Sequence, residues 1–536
     1  MKKRILALLV LSVVLFAGCQ KKEESKHHVM QQPETQEQIE YVTEEETEEV
    51  TEEPTQLPAE EGEKHIDKFT IYSEYNATEA KQYDRIDYLI FDRAHIEDYS
   101  FMKNIEVKKL QVLTSNYPVD LGCVNTEYIE AIFIRDAVIE NGNALKDAPN
   151  FTNLIIKNSN NMEVDLSFLN LCKNIGYIEL YNCCVKDLTF AESLTELKSI
   201  LVENSQISDL SPLASCINLE EIEITEGRVH DISPLSGLLE LRRIDLKDNY
   251  ITDISPLKAC LENNLQYVYL EENFITEADV FEYAKDAEGI NLSKNYLTKI
   301  PRGLLVDGVI SDLSSNNIAQ ISPEEFELLE EKNVIVNLFD NLLDSETMEK
   351  LVMSGGVYLT TYDDVHIQEE EAIEFNDKMQ LILEKCNVGD DKEKVFRTLY
   401  YVANNCTPDY AEASEHRNNA YGALFDSAMC MGMTDITDSI LRHMGIMTKQ
   451  YHGDTDDLYD NERHVWNVVY IDGEWYHCDA TYSVAYKDAN NIPKLVLLSD
   501  DEIEKFGHIL DAQNHYPCDV LVDTNEREEL KQKMTP

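Results

Sequence analysis

One cysteine, one histidine and one aspartate in this chain are placed for nucleophilic chemistry on a carbonyl. Cys430 opens the run CMGMTDITDSILRHMGI, in which Met433, Ile436, Ile440, Leu441 and Met444 share one helical side and Gly445 is the stop. A thiol in a first helical turn feels the positive end of the helix dipole and free backbone N–H groups, and both favour the nucleophilic thiolate. Helix position alone is equally what a packing cysteine shows. Downstream, HVWNVVYI and EWYHCDAT flank Asp472-Gly473, a type I′ hairpin signal. That turn pairs Ile471 with Glu474 and Val469 with Tyr476; carried back, it sets His464 opposite Thr481 and Asp479 opposite Trp466. His464 and Asp479 are then diagonal neighbours on one face, about 7–8 Å apart between backbones, a gap that side chains close. A histidine held by a carboxylate is the general base that a cysteine nucleophile needs.

These residues need a scaffold. Helices are expected over 370–386, with Ile373, Met379, Ile382 and Leu383 inward, and over 391–404, with Val395, Phe396, Leu399 and Val402 inward. Trp466 shares the face of His464 and Asp479, where it shields their bond or packs the core, and His477 reads as structural. The loop HGDTDDLYDNER is acidic but has no glycine at the spacing a calcium loop requires and no bidentate glutamate, so it reads as a solvated loop. With no Cys-x-x-Cys and no His-x-x-x-His in the chain, no metal site is expected.

YGAL before the cysteine, HVWN around the histidine and DAT around the aspartate resemble the transglutaminase-like superfamily, over roughly residues 370–510. The resemblance implies an α+β, papain-like domain without a cofactor. Cys430 would be the nucleophile, His464 the general acid/base and Asp479 the residue that orients it. The backbone N–H at Cys430 would hold part of the oxyanion, and Asn419, Tyr421 and Trp466 are the candidate cleft residues. Met-Gly-Met-Thr after Cys430 and Tyr482-Ser483 after Thr481 depart from the usual pattern.

Upstream lies a repeat. LKSILVENSQISDLSPL, LEEIEITEGRVHDISPL and LRRIDLKDNYITDISPL align without gaps at a period of 22 residues. Around Asn249, apolar residues stand at Leu241, Ile244, Leu246, Ile251, Ile254 and Leu257. The register passes through Ala94, Ser115, Ala137, Ser159, Cys183, Ser205, Gly227, Asn249, Asn273, Asn295, Asn316 and Asn341, in steps of 21 to 25 residues. This is the leucine-rich-repeat pattern, in which short strands stack into a parallel sheet and asparagine satisfies backbone groups where the chain turns inward. Ser-Pro-Leu at 211–213, 233–235 and 255–257 resembles the short repeats of bacterial internalins. Relatives bind proteins or glycans on the concave strand face, where this chain carries Arg243, Asp245, Tyr267 and Tyr269.

Met1-Lys2-Lys3-Arg4, an apolar stretch from Ile5 to Phe16, and Ala17-Gly18-Cys19 resemble a bacterial lipoprotein signal, which implies lipidation of Cys19 and a position outside the membrane. Residues 20–64 are rich in Glu, Thr and Gln and are expected to form an extended, disordered tether. The formal net charge of −56 argues against nucleic acid as a partner. Twelve cysteines, spread over a chain able to build its own cores, are expected to be mostly free and buried.

The expected organisation is multidomain: a leader (1–19), a tether (20–64), an α/β repeat solenoid (65–345), a cap and connector (346–369), an α+β domain (370–525) and a polar tail (526–536). Two functions fit it. One is a surface lipoprotein whose repeats bind a target and whose Cys-His-Asp trio acts on amide or peptide carbonyls. The other is a non-catalytic adhesion or scaffold protein that keeps the domain as a binding module.

Overall fold

The structure, a computed structural model, describes residues 64–534 apart from 116, 160–161, 332–333, 355–356, 359–366, 410–413, 415, 456–462 and 511–515. The expected leader with Cys19, the tether through residue 63 and most of the acidic loop after Thr455 lie outside the described residues. Everything described belongs to one compact unit, 63–536. Among the described residues no helix is long and apolar enough to cross a membrane.

The repeat becomes a parallel sheet of fourteen strands, from His65–Ile71 to Val357–Tyr358. Each rung buries its apolar pair, as with Ile244 and Leu246, and rungs pair in register, as Ile222 with Ile244 and Ile244 with Val268. Asp209, Asp231 and Asp253 each accept from the backbone N–H and hydroxyl of the serine two positions on, at 2.8–3.0 Å. That Asx turn starts a 3-10 turn whose leucine, Leu213, Leu235 or Leu257, enters the core.

The reference asparagines form a ladder. Oδ1 of Asn249, Asn273, Asn295, Asn316 and Asn341 accepts a backbone N–H of the preceding coil at 2.9–3.0 Å. Nδ2 of Asn316 donates to the carbonyls of Leu292, Leu313 and Ser314. In eleven of the twelve repeats the residue just before the reference position has a left-handed backbone, φ 50–57°, from Arg93 to Asp340. None of these residues is glycine, so each corner carries strain that the buried bonds must offset.

The sheet runs past the expected end of the solenoid. Residues expected as connector form a helix, Ser345–Ser354, and the strand Val357–Tyr358, which extends the sheet beside Ile335–Asn337. Then follow helices α1 (Glu369–Cys386), α2 (Asp391–Asn405), α3 (Ala420–Phe425) and α4 (Cys430–His443). A four-stranded antiparallel sheet is built from β1 (Met447–Thr455), β2 (Arg463–Ile471), β3 (Glu474–Cys478) and β4 (His508–Ile509), in the order β3-β2-β1-β4. The short helix α5 (Ala480–Ala485) follows β3. The hairpin turn has φ 56° at Asp472 and 91° at Gly473, and the pairing runs as expected from Ile471–Glu474 to Asn467–Cys478. The expected polar tail differs: Thr524–Met534 is a helix, α6, that packs on α2. It buries Leu530 and Met534 and sets Lys533 2.8 Å from Glu393.

The second domain is fastened to the left-handed corners of the solenoid. Lys294 pairs with Asp435 at 2.8 Å, and Asp340 holds the Ser439 hydroxyl and His443 Nε2 at 2.7 and 2.9 Å. Arg442, paired with Asp438, donates to the Lys294 carbonyl at 2.6 Å. Lys449 reaches Asp248 at 2.5 Å and lies over the rings of Tyr250 and Phe274. The tyrosine and asparagine that follow two corners join in, Tyr296 Oη donating to the Ile446 carbonyl and Asn317 Nδ2 to that of Arg442.

The ladder sets a stability test. Asn316→Ala strands a buried N–H and three carbonyl contacts, and should cost about 3 kcal/mol. Ser205→Ala loses only one long bond, from Ile207 N at 3.4 Å, and should cost under about 1 kcal/mol. Urea unfolding of the two variants checks the difference.

Candidate active site

Cys430 is the first residue of α4. Its N-cap, Met429, is extended and offers no side-chain cap, so the first-turn N–H groups keep their donors. Met429 N donates to the Arg417 carbonyl at 2.8 Å, which brings the 417–419 segment across this turn. Gly432 makes that crossing possible, since a Cβ there would lie 2.6 Å from the Arg417 carbonyl oxygen. That closeness explains the glycine in the unusual Met-Gly-Met run.

His464 lies near the start of β2, opposite Gly453 of β1. Its Nε2 is 2.7 Å from Asp479 Oδ2, and the Cys430 thiol interacts with the same ring. With Nε2 engaged by the carboxylate, Nδ1 is the nitrogen left for sulfur. Burial works against a charged ring, but the Asp479 charge and hydrogen bond, helped by Cys430, push the imidazole up to about 10. Asp479 is fully buried and is the N-cap of α5, its Oδ1 accepting from Tyr482 N at 2.9 Å. Burial again opposes charge, and the His464 charge with the hydrogen bonds of His464 and His508 outweighs it, holding the carboxyl well below the usual range.

Trp466 stacks against His464 on one side, at 5.7 Å between centroids, and against Tyr451 at 4.6 Å. Its Nε1 donates to His477 Nδ1 at 2.9 Å, so Nε2 of His477 carries the proton that Asp500 accepts at 2.9 Å. His477 is therefore the brace of Trp466. Asn419 is the N-cap of α3, its Oδ1 accepting from Gly422 N at 3.1 Å, and its backbone borders the first turn of α4. Tyr421 packs between His416 and Phe425 in the apolar layer of α3. The structure thus brings Cys430, His464, Asp479 and Trp466 together, while Asn419 and Tyr421 serve α3 through capping and packing.

His508 was not among the residues expected from sequence. Its Nε2 lies 2.8 Å from the same Asp479 Oδ2. It sits on a two-residue strand 29 positions beyond Asp479, with no motif around it.

The concave-face residues are partly engaged with one another. Arg243 pairs with Asp245 at 3.0 Å and Glu223 at 3.3 Å and lies over the ring of Tyr269. Tyr267 Oη donates to Glu288 at 2.5 Å, which pushes its phenol up to about 12. Burial, reinforced by Asp245, pushes the Glu223 carboxyl up to about 7.

Two groups, the buried His464–Asp479–His508 and the mostly buried His477–Asp500–Cys518, have ligand-type atoms close enough to share an ion. Their nitrogen–oxygen distances of 2.7–2.9 Å are hydrogen-bond distances, and burial pushes the Cys518 thiol up, away from a thiolate ligand. The eleven described cysteines are all free. Ten are buried and Cys430 alone among them is partly exposed. Burial pushes the thiols of Cys172 and Cys386 up to about 11 and that of Cys406 up to about 12.

Fold and site together describe a leucine-rich-repeat solenoid carrying a transglutaminase-like domain. Residues 382–480 match the transglutaminase-like superfamily, a span that contains Cys430, His464 and Asp479. An internalin of Listeria monocytogenes is similar in structure, 22% identical over 53% of this chain and 81% of its own, with a TM-score of 0.45. A leucine-rich-repeat protein of Leptospira interrogans is 15% identical over 55% of this chain and 89% of its own, with a TM-score of 0.42. None of the curated proteins matches the chain.

The dyad makes stability depend on pH. The raised imidazole of His464 contributes fully below its ordinary value of 6.5, and the contribution disappears as pH rises towards about 10. The depressed carboxyl of Asp479 contributes above the ordinary carboxylate range and is lost only in strong acid. Wild type should exceed His464→Phe in stability at pH 6, and that gap should close by on the order of 4 kcal/mol by pH 10, read from urea midpoints across the range.

Proposed function

We propose that the transglutaminase-like domain is a thiol acyl-transfer enzyme acting on carboxamide or peptide carbonyls. The carrying observation is the buried His464–Asp479 pair at 2.7 Å, with the Cys430 thiol on the same imidazole at an uncapped helix start. In this reading Cys430 Sγ attacks the carbonyl carbon, and the backbone N–H at Cys430 holds part of the oxyanion. His464 gives its proton to the departing amine, leaving a thioester. It then takes a proton from the incoming water or amine, so that an acid or a new amide leaves and the thiol is restored. Asp479 keeps the ring oriented and favours its charged form.

The solenoid would present the target. Its open strand face around Arg243, Asp245, Tyr267 and Tyr269 mixes charge with aromatic surface, which suits a protein or glycan partner. The leader-like residues 1–19 and the acidic stretch that follows support a lipid anchor at Cys19, with the folded part held away from a membrane at the cell surface. In cells fed an alkyne fatty acid, wild type should take up the label and Cys19→Ala should not; an unlabelled wild type removes the anchor.

The enzymatic reading is tested on the soluble part by limiting iodoacetamide at pH 5–7, with adducts mapped by mass spectrometry. Cys430 should be alkylated at least tenfold faster than any other cysteine, and His464→Ala should abolish that advantage. If Cys430 reacts no faster than the buried thiols, the domain is a binding module.

A further inference from the structure

Asp479 is shared between two histidines. Its Oδ2 is 2.7 Å from His464 Nε2 and 2.8 Å from His508 Nε2, while Oδ1 is held by Tyr482 N. We propose that His508 is a positioning residue for the active-site carboxylate, fixing the oxygen that orients His464; this rests on the acyl-transfer reading above. His508 is 2% exposed. Its place is built, not incidental. Gly507, at φ 86°, turns the chain out of the preceding 3-10 turn, and β4 then pairs His508 with Thr455 of β1. The ring is boxed by aromatic neighbours, Trp466 at 4.8 Å, Tyr482 at 4.9 Å and His464 at 5.5 Å between centroids.

The hydrogen-bond pattern gives the role. An ionised carboxylate only accepts, so both Nε2 atoms must carry protons. Nδ1 of His508 is buried without a hydrogen-bond partner among the described residues, so the contact uses the Nε2–H tautomer. With Oδ1 anchored at one point by Tyr482 N and Oδ2 left to His464, the carboxylate could still pivot about that single anchor and carry the imidazole with it. The second donor, fixed to a different strand, removes that freedom. The ring thus does for Asp479 what Asp479 does for His464. Among the described residues, the titratable side chains in contact with the His508 ring are Asp479, the N-cap of α5, Tyr482 of α5 and His464 of β2.

His508→Phe and His508→Gln, made in the whole chain, separate positioning from packing. Phe fills the space without a donor; Gln restores an N–H. In wild type the alkylation rate of Cys430 should stay high down to pH 5. Phe should lower the rate at pH 6 about tenfold and move the acid limb up by about one pH unit, with Gln recovering to within threefold. A profile unchanged in Phe, alongside a lower melting temperature, overturns the proposal and leaves a packing residue. If wild-type Cys430 is no faster than other thiols, the acyl-transfer reading fails, and the decision passes to the His464 ring titration followed by NMR. A midpoint that falls in Phe and recovers in Gln supports positioning, and one that stays or rises overturns it.

Discussion

The whole arrangement depends on charges buried between helix α4 and the corners of the solenoid. Lys294 and Asp435, Asp340 and His443, and Arg442 with Asp438 all lie out of water. A buried pair of this kind adds little net stability, but removing one partner leaves an uncompensated charge that costs several kcal/mol. The interface therefore has one good register and few tolerable alternatives. Asp435 extends its reach: one oxygen meets Lys294 and the other accepts from Ala420 N, the first residue of α3. The segment before α3 is the one that crosses the first turn of α4. A lysine on the solenoid is thus two contacts away from the wall beside Cys430, and the helix bearing the nucleophile is held along its second half by another domain.

The left-handed corners explain why the contact falls where it does. A corner residue with φ near 50° breaks from the extended strand, and the asparagine beside it, bonded on every polar atom as in Asn316, cannot yield. Asp248, Lys294 and Asp340 are such corners. The repeat thereby supplies rigid, evenly spaced charged posts, and the second domain carries the complementary set on α4 and β1.

Local patterns were legible in the sequence, and distant ones were not. The 22-residue period, the helix from Cys430 and the hairpin register all follow from spacing within a few residues, so the facing of His464 and Asp479 could be counted from one turn. The strand itself stops at Cys478, because Asp479 leaves the ladder to cap α5, yet its carboxylate still reaches the imidazole. His508 could not be read this way: its partner lies on another element and its own strand is two residues long. The seam was hidden for the same reason, with Asp340 and His443 separated by 103 positions and no periodicity linking them. The corner conformations were not legible because, apart from Asn182 and Asn204, it is Arg, Thr, Asp, Glu, Lys and Ser that occupy them where propensity would suggest glycine or asparagine. The final helix was not legible either, because only Leu530 and Met534 anchor it, and their value depends on the surface of α2.

A second His–Asp pair shows how the site keeps its electrostatics. His477 and Asp500 do not touch the thiol; they hold the indole of Trp466 flat against His464. Tyr451 closes the far face of the indole, and Gly453 leaves room for it, since a Cβ there would come within 2.6 Å of the ring. Water is thereby kept from one side of the His464–Asp479 bond, where a low local dielectric strengthens attraction between opposite charges. One dyad carries the charge and the other keeps its surroundings dry. The same burial works in the opposite direction on Cys172, Cys386 and Cys406, whose thiols have no cationic ring beside them and are pushed towards the inert protonated form. What distinguishes Cys430 is therefore a partly exposed thiol at an uncapped helix start, beside an imidazole that burial alone would have discharged and that Asp479 keeps charged.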